Sequence, residues 1–126
     1  MTDEEIYQEN IIDHYRNPHN KREIEGCPVK HKESNSLCGD EITVFINIED
    51  GKVVDASFQG HGCAISQASI SMLTDKLKGM GVEEAKSLTK EDVLKMLGIP
   101  VGPVRMKCAL LSLKTVVRGI ENARSQ

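Results

Sequence analysis

The chain predicts an α+β fold with helices packed on one face of a small antiparallel sheet. Three observations carry this. Helical spacing comes first, strand-like runs follow, and helical spacing then returns to the end. Residues 42–48 are rich in β-branched side chains and are followed by a turn and a second extended run. From residue 64 onward, small and aliphatic residues recur at helical intervals.

The elements follow in order. Thr2 and Glu5 match a capping box, and Ile6, Tyr7, Ile11, Ile12 and Tyr15 recur near helical spacing, which predicts a helix from Asp3 to Tyr15. Asn17-Pro18 ends it. The polar run Asp13-His14-Tyr15-Arg16-Asn17-Pro18 reads as a helix end whose polar groups close the following turn. Val29 to Glu33 is a ragged edge strand. Ile42 to Ile48 is a strand with Ile42, Val44, Ile46 and Ile48 on one face, while Phe45 interrupts the polar set opposite. Glu49-Asp50-Gly51-Lys52 turns the chain into a returning strand, Val53 to Phe58, completing a hairpin.

Gln59-Gly60-His61-Gly62 reads as a tight loop. It delivers Cys63 to a helix over 64–78, whose small residues Ser66, Ala68, Ser69 and Ser71 imply close approach to a neighbour. Val82 to Leu88 is a short helix. Thr89 caps another, Glu91 to Leu97, stopped by Gly98 and Pro100. Gly102-Pro103 is a rigid turn before a last helix, Ala109 to Ala123, with Leu110, Leu113, Val117 and Ile120 on one face. No repeat, linker or low-complexity tract interrupts the 126 residues, so one domain spanning 1–126 is expected.

Composition narrows the function. Sixteen basic and nineteen acidic residues give a net charge of −3, and no basic stripe is present, so nucleic acid is not an expected partner. The apolar runs are far too short to span a membrane. The acidic start, Met1-Thr2-Asp3-Glu4-Glu5, lacks an export pattern, which points to the cytoplasm. There the four cysteines read as reduced thiols rather than as two disulfides.

Three thiols have suggestive surroundings. Cys38 stands one glycine from Asp40, in Ser36-Leu37-Cys38-Gly39-Asp40. Cys63 and Cys108 each lie just ahead of a helical pattern, where free N–H groups and the helix dipole favour a thiolate. Arg105 and Lys107 add positive charge near Cys108. Twenty-four residues separate Cys38 from Cys63 and forty-four separate Cys63 from Cys108, with no C-x-x-C, so any shared site must be built by the fold. Two readings stand side by side on residue chemistry alone: a metal or sulfur-transfer site, or buried thiols acting as small hydrophobes. Cys27, between Gly26 and Pro28, reads as a loop thiol outside the set.

Taken together, Asp13-His14-Tyr15-Arg16-Asn17-Pro18-His19-Asn20, Cys38-Gly39-Asp40, Gly62-Cys63-Ala64 and Pro103-Val104-Arg105-Met106-Lys107-Cys108 resemble the iron–sulfur cluster assembly scaffold family, which includes IscU, the NifU N-terminal domain and SufU. The match runs in order from about Glu5 to the end. It implies a three-stranded sheet and a scaffold that is not a turnover enzyme. It also implies a cysteine desulfurase as sulfur donor, with apo iron–sulfur proteins as recipients. The cargo would be a [2Fe–2S] or [4Fe–4S] cluster held by Cys38, Asp40, Cys63 and Cys108, with Cys108 as the favoured sulfur acceptor. A homodimer when cluster-loaded stays open.

Two departures bear on this. Lys107 stands where IscU-type members carry a histidine, and a protonated lysine cannot ligate a metal. Lysine there is similar to the SufU branch, whose members bind zinc and relay sulfur, so zinc in place of a cluster is the alternative. That branch carries an insertion before the third cysteine motif, absent between Leu97 and Arg105. The second departure is Val101-Gly102-Pro103-Val104-Arg105, which differs from the proline-rich chaperone-recognition segment of IscU proteins. His61, beside Cys63, reads as a solvated loop histidine rather than a replacement ligand.

Overall fold

The computed structural model describes residues 3–36 and 39–124. Thr2 of the expected capping box and Cys38 lie outside the described residues.

The element order is α1 (Asp3–Arg16), β1 (Val29–Asn35), β2 (Asp40–Glu49), β3 (Lys52–His61), α2 (Ala64–Leu77), α3 (Val82–Lys86), α4 (Lys90–Leu97) and α5 (Pro103–Arg124). The strands form one antiparallel sheet in the order β1-β2-β3. Helix α2 lies against β3, α5 lies across β1 and β2, and the two helices touch each other. Helix α1 sits outside α2, and α4 packs on α5 and α2. The expected α+β layering is therefore present.

The alternation in β2 sets the inner face. Ile42, Val44 and Ile46 are fully buried against the helices with Val53, Ala56 and Phe58 of β3. Burying each of the larger side chains contributes about 1.5–3 kcal/mol. Phe45 points the other way yet is only 3% exposed. The Lys30 ammonium stands 5.7 Å from its ring centroid, so a charged side chain covers the aromatic that breaks the polar face. Asp50 and Gly51, both at positive φ, turn β2 into β3.

Several boundaries differ from the sequence expectation. Residues 59–61 belong to β3 rather than to a loop, because Glu41 pairs with His61 and Ile42 with Gly60. Gly60 makes this pairing feasible: a Cβ there would lie 2.2 Å from the Glu41 carbonyl oxygen. Strand β1 runs two residues further than Glu33, and α3 stops two residues before Leu88. Thr89 does cap α4, through a capping box with Asp92, and Gly98 closes that helix in the left-handed conformation.

The largest correction concerns α5. It begins at Pro103, six residues before Ala109, because proline suits the first helical position and Gly102 accepts the N–H of Met106. Its buried stripe is Cys108, Ala109, Leu111, Ser112, Thr115, Val116 and Ile120. Leu110, Leu113 and Val117 lie on its half-buried edge. Small and hydroxyl residues share this face with the aliphatic ones where α2 approaches closely: Ser69 Oγ donates to the Ala109 carbonyl at 3.1 Å and stands 2.7 Å from Ser112 Oγ. Helix α1 shows a similar inversion. Ile11 and His14 face inward, while Ile6, Tyr7, Ile12 and Tyr15 are 40–50% exposed.

Candidate metal centre

Three chemistry-bearing side chains converge from three elements. Asp40 opens β2 and is 1% exposed. Cys63 is the N-cap of α2, with an extended backbone, so its N–H points out of the helix end and is available. That N–H donates to Asp40 Oδ1 at 2.7 Å, and the Cys63 thiol faces Asp40 Oδ2 at 3.8 Å. Cys108 comes from the second turn of α5 and is 2% exposed. It does not precede its helix, as the sequence suggested; it lies within it. One ligand atom from each of Asp40, Cys63 and Cys108 lies within 4.8 Å of the other two.

Gly62 makes this convergence feasible. At φ +143° a Cβ would lie 2.2 Å from Asp40 Oδ1. The backbone between β3 and α2 therefore passes directly over the carboxylate. The Ser69–Ser112 contact joins α2 and α5 one to two turns further along from Cys63 and Cys108. A cleft of about 240 Å³, lined by Cys63, Ala64, Ile65, Val104, Arg105 and Cys108, opens beside the thiols.

Cys27 is half-buried and its thiol donates to the Val29 carbonyl at 3.0 Å. His61 is 73% exposed in its side chain, lies 3.6 Å from Glu41 and does not join the group of Asp40, Cys63 and Cys108. Arg105 lines the thiol cleft, whereas Lys107 lines a neighbouring groove with Ser34, Asn35 and Met106. The carboxyl of Glu41 is held below its usual range by a hydrogen bond from Lys32.

A second constellation was not legible in the sequence. His14, at the end of α1, stands 2.8 Å from Ser71 Oγ through Nδ1. His19, in the turn behind it, pairs with Asp75 of α2. The polar groups of 13–18 close the turn only in part: Asn17 does cap back onto Asp13, but the histidines reach across to α2. No spacing rule links residues 14 and 19 to residue 75; only helix packing does.

An α+β platform presenting thiols and a carboxylate at one sheet–helix junction is a class of protein with a candidate metal centre. The chain belongs to the NifU-like N terminal domain family, whose model matches residues 6–126. It is 35% identical to the zinc-dependent sulfurtransferase SufU of Bacillus subtilis, covering 91% of this chain and 89% of that protein. It is 34% identical to the iron–sulfur cluster assembly scaffold protein IscU of Thermotoga maritima, covering 92% and 93%. The fold is that of the N-terminal NifU-like protein of Brucella abortus, with a TM-score of 0.80 at 22% identity, over 98% of this chain and 97% of that one.

Proposed function

We infer that this chain is a scaffold for iron–sulfur cluster assembly. It takes sulfur from a cysteine desulfurase, combines it with iron, holds the cluster transiently and passes it to apo-proteins. The observation that carries this reading is the convergence of Asp40, Cys63 and Cys108 within 4.8 Å from a strand, a helix cap and a helix interior. Cys38, two residues from Asp40 in sequence, completes the proposed set.

The donors suit the cargo. Thiolates favour zinc and iron–sulfur clusters. Metal–sulfur bonds near 2.3 Å place neighbouring donors roughly 3.8 Å apart around a tetrahedral ion, which the Cys63–Asp40 separation of 3.8 Å matches, with Cys108 within 4.8 Å of both. Asp40 supplies a harder oxygen donor, which holds a thiophilic metal less firmly than a fourth thiolate would, and this favours release. [2Fe–2S] and [4Fe–4S] cargo both fit the donor set, and a cluster shared between two copies is compatible with it.

In sulfur delivery the Cys108 thiolate attacks the outer sulfur of the desulfurase persulfide. The S–S bond there breaks, the desulfurase cysteine leaves as thiolate, and the sulfane sulfur remains on Cys108. Because Cys108 is 2% exposed, this step calls for movement at the cleft that it lines with Val104 and Arg105 of the first turn of α5. Val104, 81% exposed at that turn, offers little packing resistance.

The test is anaerobic reconstitution with iron, cysteine and a desulfurase. A coloured protein with two or four irons per site is the expected result; a colourless product holding only zinc would overturn it. The second reading, a zinc-dependent sulfurtransferase, is favoured by the 35% identity to the Bacillus subtilis protein of that name and by Lys107 before Cys108. It expects stoichiometric zinc and faster desulfurase turnover in the presence of the chain.

A further inference from the structure

The turn behind α1 is built more elaborately than chain reversal requires. Asn20 sits at φ +61°, uncommon outside glycine, and its side-chain amide donates to Thr74 Oγ1 at 3.0 Å and to Asp75 Oδ1 at 2.8 Å. Ser71 Oγ lies 2.8 Å from His14 Nδ1 and takes the His19 N–H at the same distance. His19 Nδ1 faces the other Asp75 oxygen, Oδ2, at 2.5 Å. The two imidazoles stand 4.4 Å apart, centroid to centroid. One ligand atom from each of His14, His19 and Asp75 lies within 4.8 Å of the other two.

We propose that His14, His19 and Asp75 form a second divalent-metal site, separate from the thiol centre and selective for an ion of the zinc or ferrous class. Two imidazoles and a carboxylate suit such borderline cations, whereas calcium and magnesium prefer oxygen donors throughout. The supporting layer is already in place. In the tautomer that donates Nδ1–H to Ser71, His14 keeps a lone pair on Nε2, and metal-bound imidazoles are held in this way by an acceptor on the other nitrogen. Asn20 fixes the carboxylate through Oδ1 and leaves Oδ2 towards His19. An entering ion takes the place of the His19–Asp75 contact.

Donors around a tetrahedral ion with 2.0–2.1 Å bonds lie roughly 3.3 Å apart. The side chains of His19 and Asp75, 49% and 43% exposed, have room to adjust to that spacing and leave a position open to water. Lys78 is the nearby cation, but it is drawn to Asn20 Oδ1 and Asp55. The site cannot share an ion with the thiols. Cys63 and Asp75 are twelve residues apart at the two ends of α2, about 18 Å along its axis. A bound ion would cross-link α1, the turn and α2.

The test counts metal on reduced protein by anaerobic equilibrium dialysis against Zn²⁺, and repeats it with Co²⁺ for its spectrum. Wild type is expected to hold one ion more than His19→Lys, a variant that keeps the ion pair with Asp75 but removes the imidazole. The thiolate-to-cobalt charge-transfer bands should be the same in both. In ring-nitrogen NMR, His14 and His19 should shift on zinc addition while His31 and His61 stay unmoved. Equal stoichiometry in wild type and His19→Lys, or an extra ion lost in Cys63→Ser instead, would overturn the proposal. If the thiol centre were the part at fault, the cobalt charge-transfer bands would be missing while the His19-dependent ion remained.

Discussion

The main-chain N–H of Cys63 donates to Asp40 Oδ1 at 2.7 Å. The carboxylate is thus tied to the first turn of α2, and strand and helix share one polar junction beneath the thiols. Removing the carboxylate is expected to disturb both the helix start and the proposed donor set.

Asp40→Ala should therefore do two things. Leaving the Cys63 N–H without its acceptor costs about 1–3 kcal/mol of stability, measurable by denaturant unfolding. If the carboxylate is the labile donor, a reconstituted cluster should persist longer and transfer more slowly to an acceptor protein. Unchanged transfer rates would remove Asp40 from that role.

Gly62→Ala should lower metal affinity without touching a donor atom. The new Cβ would meet Asp40 Oδ1 at 2.2 Å, at a φ of +143° that side-chain-bearing residues rarely adopt. A loss on the order of 1–3 kcal/mol is expected from backbone strain, together with a displaced carboxylate. Zinc titration of the reduced protein reads the second effect.

Ser112 separates packing from chemistry. Ser112→Ala keeps the α2–α5 distance and should cost about 1 kcal/mol, since Ser69 still donates to the Ala109 carbonyl. Ser112→Leu must force the helices apart, at about 1–3 kcal/mol or more, and should weaken metal binding at Cys63 and Cys108. Equal metal affinity in the two variants would show that the helix contact does not set the thiol separation.

Cys27→Ser should leave cluster assembly intact, because the Cys27 thiol is engaged with the Val29 carbonyl. Loss of iron uptake in this variant would move Cys27 into the donor set.

The acid limb of stability should carry a contribution from Asp55. Arg22 donates to both its oxygens at 2.8 Å and holds its carboxyl below the ordinary value of 3.8, with the Ala56 N–H and Lys78 assisting. A depressed folded pKa stabilises fully above the unfolded value and is lost as pH falls through the folded one. The stability advantage of wild type over Asp55→Asn should accordingly shrink below pH 3.8. An advantage that persists undiminished into stronger acid would exclude the Arg22 pairing as its source.

Much of the scaffold was legible in local pattern. The β-branched run at 42–48, the Asp50-Gly51 turn and the Thr89 cap act through backbone preferences that need no distant partner, and each element stands where its residues predict. Leu110, Leu113 and Val117 misled because helical periodicity ranks residues by hydrophobicity. The buried face of α5 instead combines Leu111, Val116 and the expected Ile120 with Ala109, Ser112 and Thr115, and Ser69 of α2 pairs its hydroxyl with Ser112. Gln59 to His61 looked like a loop because two glycines flank the histidine, yet Gly60 is what lets β3 hug the Glu41 carbonyl.

The amino-acid order by itself determined the layered α+β plan, the family, and the thiols and carboxylate available as donors. Only the tertiary structure decided that Asp40, Cys63 and Cys108 meet, that Cys108 is held inside a helix, and that His14 and His19 meet Asp75. Periodicity and capping are encoded within a few neighbouring residues. Convergence of side chains tens of residues apart is set by how closely helices and sheet pack, and no short stretch of sequence contains that distance.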